Sequence, residues 1–184
     1  DVDSGLLELG LVTAPVTTAG LRVTPLLRDE VVLVGPADHP LASDRQVSTQ
    51  ALEGHSLVGF ERGSAIRRII DNALREAGIG MNVVMELRSI PAILRMVATT
   101  GNLAFVSRMG VESGTGISVL SVRGLAISRE LVLIERRGGT LSPPADAFAH
   151  RLRSERDSRR AVRENQRGRG DTAVRGRPAE QTLA

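Results

Sequence analysis

Cysteine, lysine, tryptophan and tyrosine are all absent from this 184-residue chain, and phenylalanine occurs only three times. Without cysteine there is no disulfide framework and no thiolate metal site, and an intracellular setting is the simpler expectation. No run approaches the ~18 consecutive apolar residues of a membrane-spanning helix, and the opening DVDSGLLEL lacks a basic-then-apolar signal pattern. The sequence starts without methionine, so a preceding domain or signal is expected to be missing from it. HExxH, G-x-S-x-G, the P-loop and the dinucleotide glycine fingerprint are missing too. The three histidines, His39, His55 and His150, are not spaced as a metal pair. These gaps argue against an enzyme, a cofactor or a metal centre.

What is present is a hydrophobic fraction of 41%, ordinary for a soluble globular chain, and charge that is unevenly placed. Residues 151–184 hold 10 arginines against five acids, a net of +5, whereas residues 1–150 carry a net of −2. Every basic residue is arginine, so the pI near 11.0 reflects arginine's high pKa more than a basic folded surface.

The stretch Asp29–Pro40, DEVVLVGPADHP, organises the rest. Val31, Val32, Leu33 and Val34 read as a strand buried on both faces, ended by Gly35 and Pro36 and followed by a turn at Asp38–Pro40. Before it, Leu6–Thr13 reads as a buried strand. After it come a short turn capped by Ser48 or Thr49, a strand at Ser56–Phe60 and an amphipathic helix from Ser64 to about Ala77. That helix buries Ile66, Ile69, Ile70, Ala73, Leu74 and Ala77 and turns Arg67, Arg68, Asp71 and Arg75 away. A strand at Val83–Leu87 leads to a second helix, capped by Ser89, with Ile90, Ile93, Leu94, Val97 and Ala98 on its buried stripe, and closed by Gly101. Strands are predicted at Leu103–Val106, Ile117–Val122 and Ile127–Glu135. A helix opened by Ser142 and two prolines buries Ala145, Phe148, Ala149 and Leu152. Beyond about Glu155 the Arg/Gly-rich tail is expected to stay disordered.

Strands alternating with helices between residues 56 and 107 imply crossover units and a largely parallel sheet, whose ligands gather at the carboxyl ends of the strands. Here those ends are Phe60–Ser64, Arg88–Ile90 and Ser107–Arg108. Gly63 lets the backbone come close, Ser64 offers a hydroxyl, and the first N–H groups of the helix favour an anion. Plain N-capping accounts for the same residues at Ser64 and Ser89. Arg108 adds a cation suited to a carboxylate. Asp29 and Glu30 point to opposite faces of a strand and read as solvated charges rather than a catalytic pair.

The segments DSGLLELGLVTAPV, DEVVLVGPADHPLA, GSAIRRIIDNALREAGI, MELRSIPAILRMVATTGNLAFVSR and GLAISRELVLIERRG occur in this order over about residues 2–152. Together they resemble the effector-binding domain of LysR-type transcriptional regulators. The resemblance implies an α/β, periplasmic-binding-protein-like two-lobed fold of type 2, with lobe one incomplete. Residues 1–34 would form part of lobe one and the first crossover strand, 35–130 lobe two, 131–155 the second crossover strand and return helix, and 156–184 the disordered tail. An effector, a small carboxylate or other anion, would lie between the lobes, met by Thr13, Gly63, Ser64, Ser89, Ile90, Ser107 and Arg108.

The resemblance further implies a cytoplasmic homodimer or homotetramer that reaches DNA through an amino-terminal winged helix-turn-helix, which these residues do not contain. With half of lobe one lacking, lobe two is expected to fold well and lobe one poorly, the Leu6–Thr13 strand exposing an edge. A periplasmic-type solute-binding protein is the alternative on the same fold, and an export signal upstream would distinguish it. The arginine tail also suggests nonspecific nucleic-acid contact with a steep salt dependence, set against the plainer reading of a solvated tail.

Overall fold

The computed structural model describes the backbone of residues 1–17, 19–112 and 114–172, with side chains as far as Ser158. In chain order it contains β1 (Leu9–Thr13), β2 (Leu21–Pro36), β3 (Ser56–Phe60), α1 (Ala65–Glu76), β4 (Asn82–Leu87), α2 (Ile90–Thr100), β5 (Ala104–Ser107), β6 (Ile117–Leu120), β7 (Ile127–Arg136) and α3 (Pro143–Thr172). Two compact units divide the chain. One takes Asp1–Leu11, Thr18–Leu26 and everything from Leu133 onward; the other takes Val12–Thr17 and Leu27–Val132. β2 and β7 therefore pass from one unit into the other.

The second unit is built on the apolar end of β2. Val31–Val34 are all buried, with Val34 fully so. At about 1.5–3 kcal/mol for each large apolar side chain taken out of water, this run alone outweighs any surface interaction in the unit. β2 pairs antiparallel with β5, Val31 opposite Ser107 and Val34 opposite Ala104, and also with β6, Leu33 opposite Leu120. β3 and β4 pair in parallel, and β3 meets the start of β5 through a parallel bridge between Leu57 and Leu103. The expected crossover joins β3 to β4, but these two form a sheet of their own, and β2 runs antiparallel to β5 and β6 in the larger sheet, so no single largely parallel sheet forms.

Both short helices follow their sequence signals. Ser64 accepts the Arg67 N–H at the head of α1, which buries Ile66, Ile70 and Leu74 on the core. Ser89 accepts the Ala92 N–H at the head of α2, and Gly101, with φ of 76°, closes it. Three stripe assignments need correction. Ala77, at the end of α1, is exposed rather than buried. Ala98 is exposed, and Met96 packs against the core instead. Arg67 does not face away: it is buried, its guanidinium bonded to the Phe60 carbonyl at 2.7 Å, to Asp71 at 2.8 Å and to Glu86 at 3.2 Å. At 100° per residue, position 67 borders the apolar stripe, so the side chain lies inward, where bonds from Nε and Nη1 offset the cost of burying it. Burial alone would lower its pKa; bonds to Asp71, then Glu86, outweigh that and raise it.

β1 is an edge of the five-stranded sheet ordered β1–β7–β2–β5, with β6 also on β2. The strand is shorter and less buried than predicted: Leu6 and Leu7 precede it, and both are exposed together with Leu11. Gly10 has to be bare, since a Cβ there would stand 2.9 Å from Ile134 Cγ1. Glu8 receives the Ser142 N–H at 2.6 Å and its hydroxyl at 2.8 Å, and the backbone bond, then the hydroxyl, hold its carboxyl below the ordinary range. Glu135 is buried between Arg22 at 3.0 Å and Arg153 at 2.7 Å.

α3 buries Ala149 but leaves Phe148 exposed, against expectation, because Phe148 lies one step outside the strip that Ala149 presses inward. The helix also continues to Thr172, well past the expected end of order near Glu155. Arg, Glu, Gln and Ala favour helices, no proline intervenes between Pro144 and Pro178, and Arg151 meets Glu155 one turn on at 3.9 Å. The rest of the expected tail, residues 173–184, lies outside the described residues.

His39 and His55 add a titratable pair to the second unit, with ring centroids 5.1 Å apart. His39 Nδ1 accepts the Leu41 N–H at 3.2 Å, so its proton sits on Nε2. Burial, then the neighbouring His55, lower the His39 pKa from 6.5, and Asp38 opposes without prevailing. The unfolded chain thus binds the proton more readily, and the stability contributed by neutral His39 is complete above pH 6.5 and lost as pH falls from there to the folded value. Urea midpoints should hold above pH 6.5 and decline on acidification below it. His39→Asn, which keeps a capping acceptor without a proton to gain, should flatten that decline. Glu86, whose own burial is outweighed by bonds from Arg62 and Arg67, contributes in a lower window, below its ordinary 4.5.

Candidate functional site

The parallel arrangement of β3, β4 and the bridged β5 brings their carboxyl ends to one edge of the second unit. β3 runs into the turn Glu61–Ser64 and α1, β4 into Arg88–Ser89 and α2, and β5 into a tight turn at Arg108–Gly110. β2, antiparallel to β5 with Val31 opposite Ser107, delivers Asp29 and Glu30 to the same edge. All seven predicted site residues belong to this unit.

Gly63 takes a φ of 86°, which suits glycine, and lets the chain turn into α1. The Ser64 hydroxyl is committed: it donates to the Glu61 carbonyl at 3.0 Å and accepts from the Arg67 N–H at 3.3 Å. The loop is pinned to the end of β4, since Arg62 bonds Glu86 at 3.0 Å and Arg88 bonds Glu61 at 2.6 Å. That last bond, followed by Coulomb attraction, raises the Arg88 pKa. Ser89 is likewise a cap, accepting from Ala92 N at 3.4 Å. Ile90 packs on the turn after β5, where a Cβ on Gly110 would come within 2.8 Å of Ile90 Cγ2. What Ser64 and Ser89 leave for a ligand is the first-turn N–H groups of two helices rather than free hydroxyls.

The structure joins Thr13 to Ser107 through two residues outside the predicted set. Asp29, 1% exposed, accepts the Ser107 hydroxyl at 2.7 Å on one oxygen and Arg129 Nε at 2.8 Å on the other. Arg129 Nη1 stands 3.5 Å from the Thr13 hydroxyl. Asp29 is therefore no solvated strand-end charge, which corrects the sequence reading; its neighbour Glu30 is exposed as expected. Alternation could not have found it, since Glu30 shares the equally buried face of Val32 and Val34 and is nonetheless exposed. Ser107 and Arg108 part company, because Arg108 bonds the exposed Glu30 at 2.6 Å.

Arg108 and Glu30 also line a cavity of about 320 Å³ within the second unit, whose other walls include Val32, Phe105, Leu120 and Val122. Among the described residues no three His, Asp or Glu side chains are grouped to hold a metal. No helix among them is long and apolar enough to cross a membrane. The arrangement offers helix N-termini, the Thr13 hydroxyl and the part-buried Arg129 guanidinium, a set suited to holding a small polar or anionic molecule.

Residues 1–157 match the model of the family described as the LysR substrate binding domain. The chain is 29% identical over 157 residues to the RuBisCO operon transcriptional regulator of Allochromatium vinosum, covering 84% of this chain and 52% of that protein. It thus spans about half the length of the curated relatives it matches. Among solved structures, the CcmR regulatory domain of Synechocystis PCC6803 in complex with 2-PG superposes with a TM-score of 0.74 at 22% identity, covering 84% of this chain and 76% of that one. The effector-binding domain of QuiR in complex with shikimate gives 0.72 at 20% identity, covering 86% and 76%. At such identities the likeness is one of fold, and it is the α/β, type 2 periplasmic-binding-protein-like fold that the sequence segments imply.

Proposed function

This chain belongs to the LysR substrate-binding domain family, and on that premise we propose that it is the effector-sensing domain of a LysR-type, DNA-binding transcriptional regulator. A small metabolite is held at the strand-end edge of the second unit by Thr13, Gly63, Ser64, Ser89, Ile90, Ser107 and Arg108. Its differential affinity for two conformations biases the regulator between them, and a winged helix-turn-helix elsewhere in the protein reads the result on DNA. The working form is a cytoplasmic homodimer or homotetramer, and no catalysis is involved. The observation that carries this reading is the convergence of three strand ends and two helix N-termini on one edge, in a chain matched by the family over most of its length. Two fold relatives holding 2-PG and shikimate support a ligand of that size.

The test is ligand-dependent thermal protection across a panel of small metabolites that includes 2-PG and shikimate, in the full-length regulator. A true effector at a hundred times its Kd adds about 2.7 kcal/mol to stability. Ser64→Glu, which sets a carboxylate before the α1 N-terminus, should abolish the protection. A panel in which no compound raises the melting temperature would defeat the sensor reading.

A further inference from the structure

With Arg108 spent on Glu30, the implied site residues include no cation free to meet an anionic ligand. Arg129, near the start of β7, is such a cation. Its Nε is fixed on Asp29, its side chain is 17% exposed, and its Nη1 reaches Thr13 only at 3.5 Å, the outer limit of a hydrogen bond. Nη2 has no acceptor among the described residues. Since every buried side-chain nitrogen and oxygen there has a partner, Nη2 is open to solvent. The guanidinium is thus held on Asp29 with Nη2 unpaired and not fully buried, beside one predicted site residue, Thr13, and one bond removed from another, Ser107.

We propose that Arg129 is the anion-anchoring residue of the effector site, held in place by Asp29, so that the effector carries a carboxylate or phosphate group. A planar guanidinium with one edge already engaged presents its remaining N–H groups in a fixed direction, which suits the two oxygens of such a group. Asp29 acts as a positioning residue. It is sealed from solvent, so it does not compete with the ligand, and its second oxygen is steadied by Ser107. A buried ion pair gives little stability over a well-packed apolar pair, which leaves the orientation of Arg129 as its use.

The inference rests on the sensor reading, and calorimetric titration of the full chain tests it separately. The anionic probes are inorganic phosphate, 2-PG and shikimate; the neutral ones are glycerol and glucose. At least one anion should bind. Arg129→Lys, which keeps a cation beside Asp29, should raise that anion's Kd about tenfold while leaving the urea midpoint near the parent value. Asp29→Asn should weaken binding similarly, and the double variant should be no weaker than either single one. If Asp29→Asn does not fold, Arg129→Lys decides the matter. Unchanged anion affinity in Arg129→Lys, or binding of neutral probes alone, overturns the anchor and leaves the sensor reading standing. Failure of every probe, neutral and anionic, overturns both.

Discussion

Asp29→Ala should lower the stability of the second unit by about 3–5 kcal/mol, the range for removing one partner of a buried ion pair. The Asp29 side chain is wholly sealed and Arg129 is 17% exposed, so little solvent screening reduces the effect. Two losses combine. The Arg129 guanidinium keeps its charge without its acceptor, and the buried Ser107 hydroxyl loses the oxygen at 2.7 Å to which it donates. The Ser107 hydroxyl, 3% exposed, has no substitute acceptor close at hand in the apolar run of β2. Urea denaturation followed by amide exchange at Val31–Val34 measures the change where it arises. A shift below about 1 kcal/mol would mean that the pair is worth no more than a surface ion pair.

Leu103→Ala should cost about 2–5 kcal/mol, because Leu103 is 1% exposed and the strands around it cannot collapse into the void. Its neighbour makes the prediction sharper. A Cβ on Gly35 would stand 2.8 Å from Leu103 Cδ2 and 3.4 Å from Leu120 Cδ1, so Gly35→Ala alone should cost about 1–3 kcal/mol by overpacking. Combined, the two changes should cost clearly less than their sum, since the methyl added at 35 enters the space vacated at 103. Simple additivity in the double variant would show that the two side chains do not share one packing site. A double-mutant cycle by chemical denaturation settles the coupling.

Much of the fold was legible because its signals are local. The run Val31–Val34, the caps Ser64 and Ser89, the stop at Gly101 and the stripe of Ile66, Ile70 and Leu74 need only the chain's immediate neighbourhood. What was not legible depends on register between distant strands. Asp29 and Arg129 are 100 positions apart, and only the pairing of Val31 with Ser107 shows that the Asp29 carboxylate meets a hydroxyl. Arg67 was misplaced because its charge was weighed ahead of its angular position, and Phe148 because an aromatic was assumed to be core. The reach of α3 was underestimated because composition was read as disorder where helix propensity favoured continuation. Gly63, Ser64, Ser89, Ile90, Ser107 and Arg108 stand at the ends of β3, β4 and β5, but Thr13 groups with the second unit rather than with lobe one, and Arg129, which bonds it, was absent from the sequence reading.

α3 holds 30 residues, against 12 in α1 and 11 in α2, and at ~1.5 Å per residue it is about 45 Å long. Ellipticity at helical wavelengths will accordingly come mainly from one rod that, among its described side chains, buries Ala149 alone. Heating should bleach much of that signal while the sheet beneath Val34 and Val106 stays closed, so optical midpoints should fall below calorimetric ones. The lack of tryptophan and tyrosine removes the usual fluorescent check. A dichroism melt of this molecule reads chiefly its spar, and understates the endurance of its hull.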